Sequence, residues 1–159
     1  MENIIYKPIG IIHSSSKTPK GTPIQPLTDK KNPGCVEVFS EFADGLQDLS
    51  GFSHLYLIYH FHLSKKHKLK VIPFLDDCER GVFSTRAPSR PNSIGLSLVK
   101  LDKIEDNKLF IRSLDIVDGT PLIDIKPYVN EFEKIEDCKI GWLQYKAKRF
   151  KSIKGDDRF

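Results

Sequence analysis

Residues 94–101 read IGLSLVKL and residues 109–117 read LFIRSLDIV, with Glu105-Asp106-Asn107 between them. Both segments alternate or run apolar over strand length, and the polar step between them predicts a β-hairpin. Outward from this pair, residues 52–63 (FSHLYLIYHFHL) are aromatic and β-branched enough for a long, largely buried strand. Residues 34–40 (GCVEVFS) alternate, which predicts another. Residues 4–13 are Ile-rich and predict a first strand, with Pro8 suited to an edge or bulge. Shorter strands are expected at 71–77, 81–85 and 122–125. One short helix is expected at 41–49, where Phe42, Leu46 and Leu49 fall at helical spacing. Strands outnumber helices, so the expected architecture is mostly β: a single β-barrel-like domain with few short helices.

A chain of 159 residues, 39% hydrophobic and 29% charged, fits one domain with a real core. The formal charge of +4 admits an anionic partner without demanding one. The three cysteines, Cys35, Cys78 and Cys138, are odd in number and far apart. They read as isolated buried thiols in a reducing compartment rather than a disulfide framework or a zinc knuckle. The N-terminus lacks the pattern of a signal peptide, and no apolar run approaches the roughly 20 residues that span a bilayer. A cytoplasmic location without membrane contact is expected.

Residues 14–33 hold Pro19, Gly21, Pro23 and Pro26 without apolar periodicity, a loop long enough to be expected to carry function. The composition shifts near residue 130. We therefore expect a barrel domain over 1–130 and a C-terminal extension over 131–159. Its basic tail interleaves Lys146, Lys148, Arg149 and Lys151 with Tyr145 and Phe150. Such a mix suits phosphate contacts and base stacking, or simply a solvated end.

Three clusters carry potential chemistry. Residues 79–95 present Arg86, Arg90 and Asn92 on a proline-pinned loop. Such a loop holds guanidinium forks ready for carboxylates or phosphates, although surface arginines are common there too. Residues 115–121 (DIVDGTP) end a strand in carboxylates and a Gly turn, which suits ribose hydroxyls or an amine, or merely a turn. His54, His60 and His62 would share one face of a continuous strand, raising a metal site that lacks a clear third or fourth ligand. Neither a Gly-x-Gly-x-x-Gly nor a Walker-type loop is present, which argues against Rossmann and P-loop nucleotide sites. No Gly-x-Ser-x-Gly elbow occurs either. A metal-dependent hydrolase using His60 and His62, a non-catalytic RNA- or ligand-binding module, and a transferase all remain open at this point.

Four stretches in order resemble the TsaA-like family, whose characterised bacterial members are tRNA N6-methyltransferases of the TrmO type. They are PIGIIHS at 8–14, GFSHL at 51–55, GVFSTR with RPNSIG across 81–95, and DIVDGTPLIDIKPY at 115–128. The resemblance implies a non-Rossmann β-barrel that binds S-adenosylmethionine, typically as a homodimer with the cofactor near the subunit interface. It also implies methylation of N6 on threonylcarbamoyl-adenosine in a tRNA anticodon loop. By position it implies cofactor contacts from Ile24, Gln25 and Pro26, from His62 and Leu63, from Arg86 and Leu96, and from Asp115, Ile116, Val117 and Asp118. His62 is the candidate base and Asn92 the candidate for orienting substrate. The family commonly has Asn-Pro-Ile-Gly where this chain has Asn92-Ser93-Ile94-Gly95. Its larger bacterial members also carry a further C-terminal domain.

Overall fold

The computed structural model describes residues 2–22, 32–144, 146 and 155–156. Six strands close into an antiparallel barrel. They are β1 (Gly10–Ser14), β2 (Pro33–Val38), β3 (His54–His60), β6 (Ile94–Glu105), β7 (Lys108–Arg112) and β8 (Thr120–Pro127), joined in the order β1-β2-β7-β6-β3-β8 and back to β1. Two further strands of two residues each, β4 (Lys70–Val71) and β5 (Arg80–Gly81), pair outside the barrel.

Period-two alternation fills the interior. Leu55, Leu57 and Tyr59 of β3 point inward, as do Ser97, Val99 and Leu101 of β6. Val36, Val38, Leu109, Ile111, Ile12 and Leu122 join them from the other strands. Each fully buried aliphatic side chain contributes about 1.5–3 kcal/mol, and the cluster is continuous around the barrel. The hairpin predicted between 94 and 117 is present, turning at Asp106 and Asn107. Asp106 sits at φ 53, and Asn107 donates from Nδ2 to the Val38 carbonyl at 2.6 Å.

Several predicted boundaries move, each for a visible reason. Of the strand expected over 4–13, only Gly10 onward joins the ladder. Pro8 has no N–H to give, and Ile4 and Ile5 stay exposed. The strand expected over 52–63 stops at His60, because Phe61 N–H bonds the Ser93 carbonyl and His62 N–H turns back to the His60 carbonyl. β7 ends at Arg112, where Ser113 takes φ 65 and breaks the extended path before Leu114. The expected helix over 41–49 is instead a pair of 3-10 turns, Ser40–Leu46 and Leu49–Gly51, whose Phe42, Leu46 and Leu49 still pack on the core.

Between β3 and β6 the chain builds a loop layer with its own small apolar cluster of Val71, Val82 and Ala87. Its hub is Asp76, whose buried carboxylate accepts from Arg80 Nε at 2.8 Å, from the amides of Asp77 and Cys78, and from Lys146 Nζ. These partners, Lys146 first, hold its pKa well below the usual carboxylate range. Trp142 lies under the Arg80 guanidinium and donates from Nε1 to the Ser84 carbonyl at 2.8 Å. Trp142 and Lys146 of the C-terminal extension are therefore anchored on this layer. After β8 come one α-helical turn, α1 (Asn130–Glu133), and one 3-10 turn, Gly141–Leu143.

Candidate functional site

A cavity of about 340 Å³ lies where the loop layer meets one end of the barrel. Five segments line it: Tyr59 and Phe61 to Ser64 at the end of β3, Phe74, Thr85, Arg86, Pro88 and Arg90 of the loop layer, Ile94 to Leu96 of β6, Asp115 to Val117 before β8, and Pro19 with Thr22 after β1. Gly155 and Asp156 complete the lining. The volume falls within the roughly 300–1,000 Å³ range of small-molecule sites.

Local sequence explains how each wall stands. Tyr59 and Gly95 face each other across β3 and β6, and a Cβ on Gly95 would lie 2.2 Å from the tyrosine ring. Only glycine lets that ring lie flat against the neighbouring strand. The ring also packs edge-on against Phe61 at 5.2 Å between centroids. Its hydroxyl shares a hydrogen bond of 3.1 Å with Ser97 Oγ, and Ser97 Oγ donates to Asp115 Oδ1 at 2.6 Å. The ordered Asp115–Ser97–Tyr59 chain thus runs from the cavity into the barrel.

Burial dominates the electrostatics of this chain. It pushes the Asp115 carboxyl up to about 7, against the opposing hydrogen bond from Ser97 and the charge of Arg86. It also raises the Tyr59 phenol, with the Asp115 charge adding to the effect. Asp115 is thus a carboxyl poised near neutrality, one that an incoming cation would ionise.

His62 sits in the turn after β3 with Nδ1 at 3.2 Å from Thr120 Oγ1. The single hydroxyl hydrogen of Thr120 goes to the Val117 carbonyl at 2.6 Å, so Thr120 Oγ1 can only accept from His62. His62 therefore carries its proton on Nδ1 and keeps a lone pair on Nε2. Burial, followed by the charge of His60, lowers its pKa and favours this neutral form.

The structure brings together His62, Leu63, Arg86, Leu96, Asp115, Ile116 and Val117 around one cavity. Asp118 and Asn92 stand apart from the lining. The Asp118 carboxylate accepts from Lys17 Nζ at 2.7 Å and from the Ser14 amide at 2.9 Å, tying the chain after β1 to the turn before β8. Those contacts lower its pKa, Lys17 foremost. Asn92 is exposed, two residues before β6. Ile24, Gln25 and Pro26 lie outside the described residues. Arg90 lines the cavity but spends its guanidinium on the carbonyls of Val82, Thr85 and Ala87, bracing the loop. Sequence reasoning missed Tyr59, Phe61, Gly155 and Asp156, and reached Thr22 only as part of the 14–33 loop. Tyr59 alone had a signal, since alternation puts it on the inner face with Leu55 and Leu57.

Three further expectations change. His54, His60 and His62 do not share a strand face, because the strand ends at His60. Among the described residues no group of three His, Cys, Asp or Glu is arranged to hold a metal ion. Cys78 and Cys138 are exposed and Cys35 is only half-buried, rather than all three being buried. Of the basic tail, Lys146 turns inward to Asp76; Tyr145, Lys148, Arg149, Phe150 and Lys151 lie outside the described residues.

Fold and cavity together define a small-ligand-binding antiparallel barrel that uses no phosphate-cradling glycine loop. The chain belongs to the family described as the tRNA-methyltransferase O N-terminal domain, which it matches over residues 11–134. It is 52% identical to a "Probable S-adenosyl-L-methionine-binding protein" of Pyrococcus abyssi over 156 residues, covering 98% of this chain and 85% of that one. It is 34% identical to a tRNA (adenine(37)-N6)-methyltransferase of Mus musculus, covering 96% of this chain but 37% of that protein. The crystal structure of TrmO from Pseudomonas aeruginosa superposes with a TM-score of 0.76 at 34% identity, covering 88% of this chain and 62% of that one. The chain thus spans less than two thirds of the mouse enzyme and of that crystallised protein.

Proposed function

We propose that this protein is an S-adenosylmethionine-dependent methyltransferase acting on N6 of a tRNA adenosine, with threonylcarbamoyl-adenosine in the anticodon loop as the substrate. The observation that carries this reading is the convergence of Asp115, Arg86 and His62 on one cavity whose remaining walls are largely apolar. Phe61, Leu63, Leu96, Ile116 and Val117 offer contact area for a nucleoside and a thioether chain. Asp115 and Arg86 offer opposite charges for a zwitterionic amino acid, so the residues present fit the cofactor. When bound, the cofactor supplies an electrophilic methyl group on a sulfonium.

The chain's own residues then have definable tasks. Arg86 holds the cofactor carboxylate through its guanidinium fork. Asp115 faces a cationic group and becomes ionised in its presence. His62, with Nδ1–H committed to Thr120, offers Nε2 to accept the proton of the target N6–H as that nitrogen is alkylated. Holding reactants in line supplies much of the acceleration such a transfer needs, and the braced loop provides the rigidity. Asn92, exposed two residues before β6, orients the substrate. Lys65, Lys66, Lys68 and Lys70, all exposed and directly following the cavity-lining Leu63 and Ser64, suit the phosphates of an anticodon arm. The basic tail adds to that grip. A cytoplasmic homodimer is the form in which we place this activity.

Calorimetric titration with S-adenosylmethionine and with its demethylated product should show saturable binding that Arg86→Ala abolishes. Incubation with tRNA carrying threonylcarbamoyl-adenosine should then yield N6-methylated nucleoside, and tRNA lacking that group should not. Absence of binding to both ligands would sink the cofactor assignment. Equal methylation of both tRNAs would confine the error to the substrate.

A further inference from the structure

We infer that Lys17 and Asp118 form a latch that fixes two walls of the cavity relative to each other. Both are then positioning residues for the cofactor proposed above, on which reading the inference rests, and neither touches it.

The latch begins where the β1–β8 ladder stops. The last residue pair of that ladder is Ile12 with Thr120. Just beyond it, Gly119 takes φ 74 and its N–H still reaches the Ile12 carbonyl at 2.9 Å. Asp118 extends the junction with both its backbone and its side chain. Its N–H donates to the Ser16 carbonyl at 2.8 Å, and its Oδ1 accepts from the Ser14 amide at 2.9 Å. Oδ2 accepts from Lys17 Nζ at 2.7 Å. His13 stands beside them, its Nδ1 3.9 Å from Oδ1 and its Nε2 3.4 Å from Glu37. Both oxygens of Asp118 are thus held by the chain itself.

Position gives the latch its task. Asp118 directly follows Asp115, Ile116 and Val117, which line the cavity, and Lys17 stands two residues before Pro19, which lines it with Thr22. The segment from Thr18 to Thr22 is braced internally. Thr22 N–H bonds the Pro19 carbonyl at 3.2 Å, and Thr22 Oγ1 donates to the Thr18 carbonyl at 2.7 Å. Such a turn moves as one piece, so its place is set by its ties. Gly21 N–H bonds the Gly155 carbonyl at one end, and Asp118 holds the stem at the other. A ligand that spans both walls is sensitive to sub-ångström changes in their separation. Lys17 itself is exposed, so its ion pair adds little to overall stability and can be removed without unfolding the barrel.

The test titrates the full chain with S-adenosylmethionine and its demethylated product. It compares wild type with Lys17→Met, Lys17→Arg, Asp118→Asn and the double variant carrying Lys17→Met and Asp118→Asn. Lys17→Met should weaken both ligands about threefold, the size an exposed ion pair supports, with a thermal midpoint near that of wild type. Lys17→Arg keeps the pair and should restore wild-type affinity. Asp118→Asn should also weaken both ligands. The double variant should bind no more weakly than Asp118→Asn, since the two residues act through one contact. A carboxylate that touched the cofactor would give the opposite pattern. Lys17→Met would then leave affinity unchanged or raise it, Asp118→Asn would weaken S-adenosylmethionine more than the product, and the inference would be overturned. Wild-type affinity in every variant overturns the inference while the cofactor reading stands. Failure of the wild type to bind either ligand overturns the cofactor reading, and this inference with it.

Discussion

The barrel and the loop layer beside it are held together by different physics. The barrel interior is almost wholly aliphatic, with Ile12, Val36, Leu55, Leu57, Val99, Leu109 and Leu122 all sealed from solvent. The loop layer has three small apolar residues at its centre and relies on Asp76, with Arg80 and Lys146 converging on one carboxylate. Non-directional burial tolerates local change and fails as a whole. A polar hub is directional and fails when a single charge is lost. The cavity lies on the seam, so its floor is rigid and its far wall is held by charge.

The largest effect should come from the barrel. Leu57→Ala removes a fully buried side chain and should cost about 2–5 kcal/mol in denaturant unfolding, with circular dichroism and ligand binding lost in one transition. Separate transitions would mean that the barrel does not hold the site.

A smaller effect is expected at the seam. The Asp115 carboxyl is pushed up to about 7 from its ordinary 3.8, so the folded protein binds more protons than the unfolded chain between those values. Stability contributed by the neutral form is complete below about pH 4 and is lost as pH rises toward 7. Asp115→Asn, which cannot ionise, should therefore be more stable than wild type above pH 7. Allowing for partial exposure, the gain is on the order of 1–3 kcal/mol. The same variant should bind S-adenosylmethionine more weakly, and the wild type's affinity should rise with pH through 7. Equal stability of the two proteins at pH 5 and pH 8 would show that burial does not govern this group.

The smallest global effect, and the sharpest on the contrast, belongs to Asp76→Asn. The pKa of Asp76 is depressed, so the stability it gives is present above the unfolded value near 4 and is lost as pH falls below it. Removing its charge should speed hydrogen exchange at the Val82 amide, which bonds the Leu69 carbonyl, without changing exchange in β3. If β3 amides open equally fast, the two regions unfold as one and the contrast collapses.

The same division explains what could be read in advance. Strand content and the hairpin between β6 and β7 follow from alternation and a short polar turn, both local in sequence. Barrel closure through the β1–β8 and β2–β7 ladders pairs distant residues, and no local pattern announces it. The loop layer was hardest, since Asp76 meets Lys146 across 70 positions and no periodicity marks either residue. At the site, family resemblance named His62, Leu63, Arg86, Leu96 and the 115–117 stretch, all of which line the one cavity described above. It gave no hint that Asp118 is occupied by Lys17, which depends on how the chain leaves β1. Ser113 at φ 65 is likewise invisible in the pattern LFIRSLDIV, yet it decides that Asp115 leaves the ladder and reaches the cavity.

The closed ring of strands also limits how this molecule can meet a copy of itself. Every barrel strand has a neighbour on both flanks, so no barrel strand offers its full length as a free flank along which a second chain could extend the sheet. Among the described residues the one other sheet is two strands of two residues, too short to template a partner. Among the described residues, self-recognition is then written mainly in side chains, and a substitution on the outer face can rewrite it without touching the architecture within.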